Sequence, residues 1–304
     1  MLHVAYYTIG TSKSTCNMQY ATSPMSKQQP LTTRIKSFMR KSTSFLRKRQ
    51  RRANTFITKT PAEIKQLQEA GSIVAHAFEK LENAIEPGVS LRELDKMVEA
   101  YIRSEGAKPL YKGYRGNPPT HPPFPGVICA SVNHEICHGL PNGRKLKNGD
   151  IVGIDIGLRL GEWCGDACVT YTVGEVSNEV DEFMRVSKEC LYIGIAAAQP
   201  GARLGAIGAA IESHANKHGY SVVHEYGGHH EPVPVPPHGP ANYGPRLKPG
   251  MVFTIEPMVN MGGRECKLMP DGWTVETVDG KLSAQFEHTI AITRNGPLVV
   301  SKKL

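Results

Sequence analysis

From Phe56 onward the apolar positions fall into helical stretches and short runs. Thr60, Pro61 and Glu63 make a capping box with proline at the first helical position, ahead of Ile64, Leu67, Ile73, Val74, Ala77, Phe78 and Leu81 at helical spacing. An amphipathic helix is predicted to about Ile85. Glu86-Pro87-Gly88 then turns the chain, Ser90 with Glu93 opens a second helix, and Leu94, Met97, Val98 and Tyr101 carry it to a stop near Gly106. The design returns at a constant offset of 113: Pro87-Gly88 against Pro200-Gly201, Leu91 against Leu204, Leu94 against Ile207, Val98 against Ile211, Gly106 against Gly219. That spacing is too long for a solenoid and predicts two similar half-domains about a pseudo-twofold axis. Runs at 127–132, 151–158, 167–173, 251–259 and 285–293 read as strands. Helices outside and a sheet inside follow, with the cleft between the halves as the natural site.

Four of these apolar segments contain an acid where none is expected. Asp155 sits in the middle of Ile151-Val152-Gly153-Ile154-Asp155-Ile156-Gly157-Leu158. Buried without a partner, its carboxylate would be heavily penalised or forced to protonate. Asp166 follows in Gly165-Asp166-Ala167-Cys168-Val169, and a hairpin turning at Leu160-Gly161 would set it directly opposite Asp155. Glu256 ends the run Met251-Val252-Phe253-Thr254-Ile255, and Glu287 stands in Gln285-Phe286-Glu287-His288-Thr289-Ile290. His229 closes Glu225-Tyr226-Gly227-Gly228-His229. Four carboxylates are neutralised by two divalent ions, and carboxylate with imidazole suits Mn, Co, Fe or Zn.

The order Asp, Asp, His, Glu, Glu over separate strands resembles the five metal-binding segments of the methionine aminopeptidases, and the likeness spans residues 56–304. The resemblance implies an α+β pita-bread fold: two pseudo-twofold-related half-domains, a central antiparallel curved sheet and outer helices. It implies a hydrolase that removes the initiator methionine from nascent proteins and peptides with a small second residue. In that scheme Asp155 holds one metal, Asp166 and Glu287 bridge two, and His229 and Glu256 complete the other. Hydroxide activated by the ions attacks the peptide, and Glu256 shuttles the proton. His138, in Cys137-His138-Gly139-Leu140-Pro141, matches a substrate-contacting histidine, while Tyr111, Tyr114, Phe124, Cys129 and Trp273 would wall a methionine pocket. With no paired CxxC module and no room for a further domain, the bacterial or organellar type I enzymes are the nearest pattern.

The pattern is broken at Gly228-His229-His230-Glu231-Pro232, where about six residues between two family histidines are missing. His230 is assigned as the second substrate histidine. Neighbours on a strand point to opposite faces, so His238, beyond the proline-rich stretch, is an alternative. The segment 117–123 is longer than expected and proline-rich. Metal binding is therefore expected to persist while substrate affinity or range departs from the usual enzyme.

Charge changes the picture only at the N-terminus. The chain carries +8 overall, yet twelve basic residues precede the first acid, Glu63, and the remainder is mildly acidic at −4. Residues 1–55 read as a disordered basic arm: an organelle transit peptide, a ribosome- or polyanion-binding extension, or sequence upstream of a true start such as Met39. The seven cysteines are scattered, as expected of free thiols in a reducing compartment. No apolar run reaches the roughly 18–20 residues of a membrane span, and a cytoplasmic monomer is expected. The competing readings are a catalytically silent binding protein of the same fold, possessing the ligands but a rebuilt histidine loop, and a nucleic-acid binder led by the arm.

Overall fold

The computed structural model describes residues 57–116, 119–230 and 233–303. The basic arm and the turn Glu231-Pro232 lie outside the described residues, as do Asn117 and Pro118.

Four helices are seen among the described residues: α1 (Pro61–Glu82), α2 (Leu91–Ser104), α3 (Asn178–Ala197) and α4 (Gly205–Lys217). Both predicted capping boxes form, Thr60 with Glu63 and Ser90 with Glu93. The strands are β1 (Lys108–Pro109), β2 (Ile128–Val132), β3 (Glu135–Cys137), β4 (Ile151–Leu160), β5 (Trp163–Thr172), β6 (Ser221–Val222), β7 (Gly228–His230) and β8 (Val233–Val235). They continue as β9 (Val252–Ile255), β10 (Met258–Asn260), β11 (Cys266–Leu268), β12 (Val275–Thr277), β13 (Ser283–Gln285), β14 (Glu287–Thr293) and β15 (Gly296–Val299). The main sheet runs β1-β4-β5-β14-β15, with β2 added on β4 and β9 on β14, and every pairing in it is antiparallel.

The expected duplication is visible in the hydrogen bonds. Gly88 donates to the Leu146 carbonyl as Gly201 donates to that of Leu247, both at 2.8 Å. Leu91 to Arg144 is repeated by Leu204 to Pro245, and Ala107 to Ile102 by Tyr220 to Ala215. Gly106 and Gly219 leave their helices at φ 71° and 79°, the left-handed geometry that glycine adopts without a Cβ penalty. Each half has its own core. α1 and α2 bury Val74, Leu81, Leu94 and Val98 against Val152, Ile154 and Ile156 of β4, while α3 and α4 bury Phe183, Leu191, Ile207 and Ile211 against Phe253, Ile255 and Ile290. Each fully buried aliphatic side chain is worth about 1.5–3 kcal/mol. Met97, counted above among the apolar helix positions, faces outward.

Two strand expectations are corrected. The β4–β5 hairpin turns one residue later than anticipated, at Gly161-Glu162, because Leu160 pairs with Trp163. That moves the register by two, so Asp155 faces Cys168 and Asp166 faces Gly157. The two aspartates share a face as diagonal neighbours rather than opposite ones. The runs 251–259 and 285–293 are each interrupted next to their acid. Pro257 has no N–H for the ladder, which ends β9 just before Glu256.

Candidate metal centre

The register brings the acids together. Cys168 of β5 pairs with Asp155 on one side and Glu287 on the other, and Asp166 lies two residues along β5 on the same face. His288 pairs with Ile255, which carries Glu256 alongside Glu287. β7 lies so close over β9 that a Cβ at Gly228 would sit 2.2 Å from the Thr254 carbonyl oxygen. This contact aims His229 at the acids: its Nε2 is 3.5 Å from Asp166 Oδ2 and 3.6 Å from Glu256 Oε1.

The site is largely shut off from water, with Asp166 and Glu287 each 2 % exposed. Burial first, and then mutual repulsion, drives the Asp155 and Glu287 carboxyls well above the usual carboxylate range. Glu256 is pushed up to about 7 by burial, against the pull of His229. Burial alone would lower the His229 imidazole, but its hydrogen bond to Asp166 and the surrounding carboxylates raise it to about 9. Glu287 Oε1 is buried without a hydrogen-bond partner. Ligand atoms of Asp166, His229 and Glu287 all fall within 4.8 Å of one another. A buried anionic cluster with an orphaned oxygen fits divalent cations, and its oxygen-and-imidazole donor set is the one expected for Mn, Co, Fe or Zn.

A cavity of about 180 Å³ opens onto this cluster and is lined by His138, Tyr226, Val235 and Met258 among others. His138 holds φ 56°, a conformation non-glycine residues seldom adopt and one found where a side chain must be presented to a site. Its ring meets Tyr226 edge-on at 5.8 Å.

The other pocket candidates are arranged differently from one another. Tyr111 reaches the acids themselves, its hydroxyl donating to Asp155 Oδ1 at 2.7 Å and Asp166 Oδ1 at 2.9 Å. Burial and those carboxylates hold the phenol well above its ordinary value, so it stays a donor. Phe124, Cys129 and Trp273 form a buried apolar cluster with Tyr111, with Tyr114 packed against it, beside the cavity rather than along its lining. Pro122 caps that cluster by accepting from Trp273 Nε1 at 3.0 Å, and His121 lies 4.8 Å from the indole. The long proline-rich segment thus covers the expected methionine pocket. His230 follows His229 on β7 and pairs with Val233, but its side chain lies outside the described residues. His238 does not line the cavity and stacks on His224, centroids 3.7 Å apart.

Sequence reasoning missed the residues that hold the ligands in place. Thr254 Oγ1 donates to Glu256 Oε1 and accepts from the His229 amide, and Gln285 Nε2 donates to Glu256 Oε2. Thr289 Oγ1 ties down the Asp166 carbonyl. The available signal was alternation: Thr254 precedes Glu256 by two and therefore shares its face.

Comparison with known proteins agrees with this geometry. The sequence profile of metallopeptidase family M24 matches residues 65–294. The chain is 49 % identical over 246 residues to methionine aminopeptidase 1 of Bacillus subtilis, covering 79 % of this chain and 96 % of that protein. The chain belongs to family M24, in its methionine aminopeptidase branch. Methionine aminopeptidase A of Synechocystis is 43 % identical over 241 residues, 77 % of this chain and 92 % of that one. The crystal structure of methionine aminopeptidase from Rickettsia prowazekii superimposes with a TM-score of 0.78 at 38 % identity, over 81 % of this chain and all of that one. A Xaa-Pro dipeptidase from Bacillus anthracis shares the fold at a TM-score of 0.61 and 24 % identity, but only 62 % of its chain is covered. The aminopeptidase branch therefore accounts for the length of residues 57–303 as well as their fold, and the expected pita-bread architecture is the one observed.

Proposed function

We propose that this chain removes the N-terminal methionine from nascent proteins and peptides whose second residue is small, using two divalent ions held by Asp155, Asp166, His229, Glu256 and Glu287. The observation that carries the reading is the convergence of those five side chains on one buried face at the end of a cavity. When bound, the ions supply a nucleophile at neutral pH and polarise the scissile carbonyl. The protein's part is to position and to move protons. Asp166, His229 and Glu287, whose ligand atoms lie nearest one another, would hold the ions together with Asp155 and Glu256. Glu256, clamped between Thr254 and Gln285, is the proton shuttle toward the leaving amine. His138 reaches into the cavity from its strained backbone to meet the peptide's amino end.

The side-chain pocket is a separate question. Tyr114, Phe124, Cys129 and Trp273 form the wall the methionine thioether would meet once the apolar cluster opens toward the cavity. His230 remains the candidate second substrate histidine, with the shortened β7–β8 hairpin as its support. Because Pro122 and His121 cap this cluster and the hairpin is short, substrate range is expected to depart from that of relatives. Steady-state kinetics on Met-Ala-Ser and Met-Leu-Ser test this. A ratio of kcat/KM between the two peptides shifted from that of the Bacillus subtilis enzyme is the expected result, and an identical ratio contradicts it.

Among the described residues no helix is long and apolar enough to cross a membrane. We infer a cytoplasmic monomer with residues 1–55 as a ribosome-binding extension, the alternative being an organelle-targeted enzyme with residues 1–55 as its transit peptide.

A further inference from the structure

The second half carries another group of ligand-type side chains away from the cleft. His214 and His218 are four residues apart at the C-terminal end of α4 and so lie on one side of it, facing Glu189 of α3. His214 Nε2 is 3.0 Å from Glu189 Oε2, and the two imidazole centroids are 4.8 Å apart. One ligand atom from each of the three residues lies within 4.8 Å of the others, and all three are partly exposed. Arg185 hydrogen-bonds Glu189 Oε1, holding the carboxylate from behind while Oε2 is presented to His214. The guanidinium also binds Glu182, whose Oε1 is 3.7 Å from His218 Nδ1.

We propose that Glu189, His214 and His218 form an accessory site for a borderline divalent cation, zinc, copper(II) or nickel, sharing no residue with the catalytic centre. Two imidazoles and a carboxylate are a donor set those ions prefer over calcium or magnesium. Both histidines stand at the C-terminal end of α4, where the helix dipole favours positive charge. The Arg185 clamp supplies the outer hydrogen bond that orients a ligating carboxylate. A chemically similar trio, Glu212, His224 and His238, does not qualify. There Arg264 donates to His224 Nδ1, which keeps the ring proton on Nε2 against Glu212, so neither nitrogen of that imidazole is left to bind an ion. Among the described residues no cationic side chain is hydrogen-bonded to His214 or His218. An ion at this place ties α3 to α4 and stabilises the second half by mass action.

The test uses the full chain with its catalytic centre loaded with manganese, titrated with copper(II) and followed by electron paramagnetic resonance. The catalytic centre contains a single imidazole ligand, so copper there shows one strongly coupled nitrogen and copper at the accessory site shows two. The expected result is a two-nitrogen signal in the unaltered protein that disappears in His214→Ala and in His218→Ala. Glu189→Gln weakens copper binding about tenfold, and turnover of Met-Ala-Ser is preserved in all three. Absence of a two-nitrogen signal in the unaltered protein overturns the proposal without recourse to any variant. Its persistence in His214→Ala also overturns it, since the ion must then sit elsewhere.

Discussion

Tyr111 shows how much one hydroxyl decides. It lines the cavity, its ring lies on Gly157, where an added Cβ would come within 2.7 Å, and its hydroxyl is fixed between two aspartates. We infer that it orients the proposed metal ligands. Tyr111→Phe keeps the ring and loses the donor, so metal affinity is expected to fall about 10- to 100-fold with the fold intact. A metal titration beside a thermal melt checks this, and unchanged affinity contradicts the role. The four acids of the proposed centre stood out in the sequence because an ionisable group in an apolar run is an anomaly that demands an explanation, whereas His229, in a glycine-rich segment, was picked out by resemblance. Thr254 and Gln285 were not, because threonine is an ordinary strand residue and its partner becomes apparent only when register is known. His138 was legible only through resemblance, since nothing in a lone histidine before glycine announces a backbone at φ 56°.

At the scale of elements, helices were read closely because capping boxes are local chemistry: Thr60 with Glu63 and Ser90 with Glu93 act within one turn. Strand register is set by where a turn falls, and either Leu160-Gly161 or Gly161-Glu162 satisfies the local preferences. The one-residue difference preserved the face and changed the partner, placing Cys168 in the row between Asp155 and Glu287. The close approach of β7 to β9 was likewise invisible, being a contact between segments distant in sequence. It gives Gly228 a testable function. In Gly228→Ala the new methyl collides with the Thr254 carbonyl, and the strand must lift, carrying His229 from Asp166. A loss of about 1–3 kcal/mol in stability is expected, together with weakened metal binding. Denaturant melts with and without added manganese measure both, and retention of full metal affinity would show that His229 is held by something other than this contact.

Residues 57–303 form a doubled unit, and the candidate centre lies on the sheet its halves share. Each half contributes part of the proposed ligand set: Asp155 and Asp166 from the β4–β5 hairpin of the first, His229 and Glu287 from strands of the second, and Glu256 from the break between β9 and β10. The cleft expected between the duplicated halves and the cluster of acids thus coincide. The basic residues 1–55 precede the span matched by the family profile, residues 65–294. Bacillus subtilis methionine aminopeptidase 1 is matched over 96 % of its length by 79 % of this chain. Removal of residues 1–55 is accordingly expected to leave kcat/KM on Met-Ala-Ser unchanged and, on the proposal that this segment binds the ribosome, to abolish a salt-sensitive association with ribosomal RNA. Loss of activity on truncation would make the arm part of the enzyme.

The most direct measurement of the central claim is methionine release from Met-Ala-Ser by the purified chain, stripped of metal and then given Mn, Co, Fe or Zn in turn, alongside Asp166→Ala. Asp166 is 2 % exposed and is among the residues proposed to hold metal, so its loss is expected to disrupt the centre. The account predicts no release without metal, release with at least one of the four, and none from the variant. A folded protein that releases no methionine with any of them, or a variant as active as the parent, would contradict it.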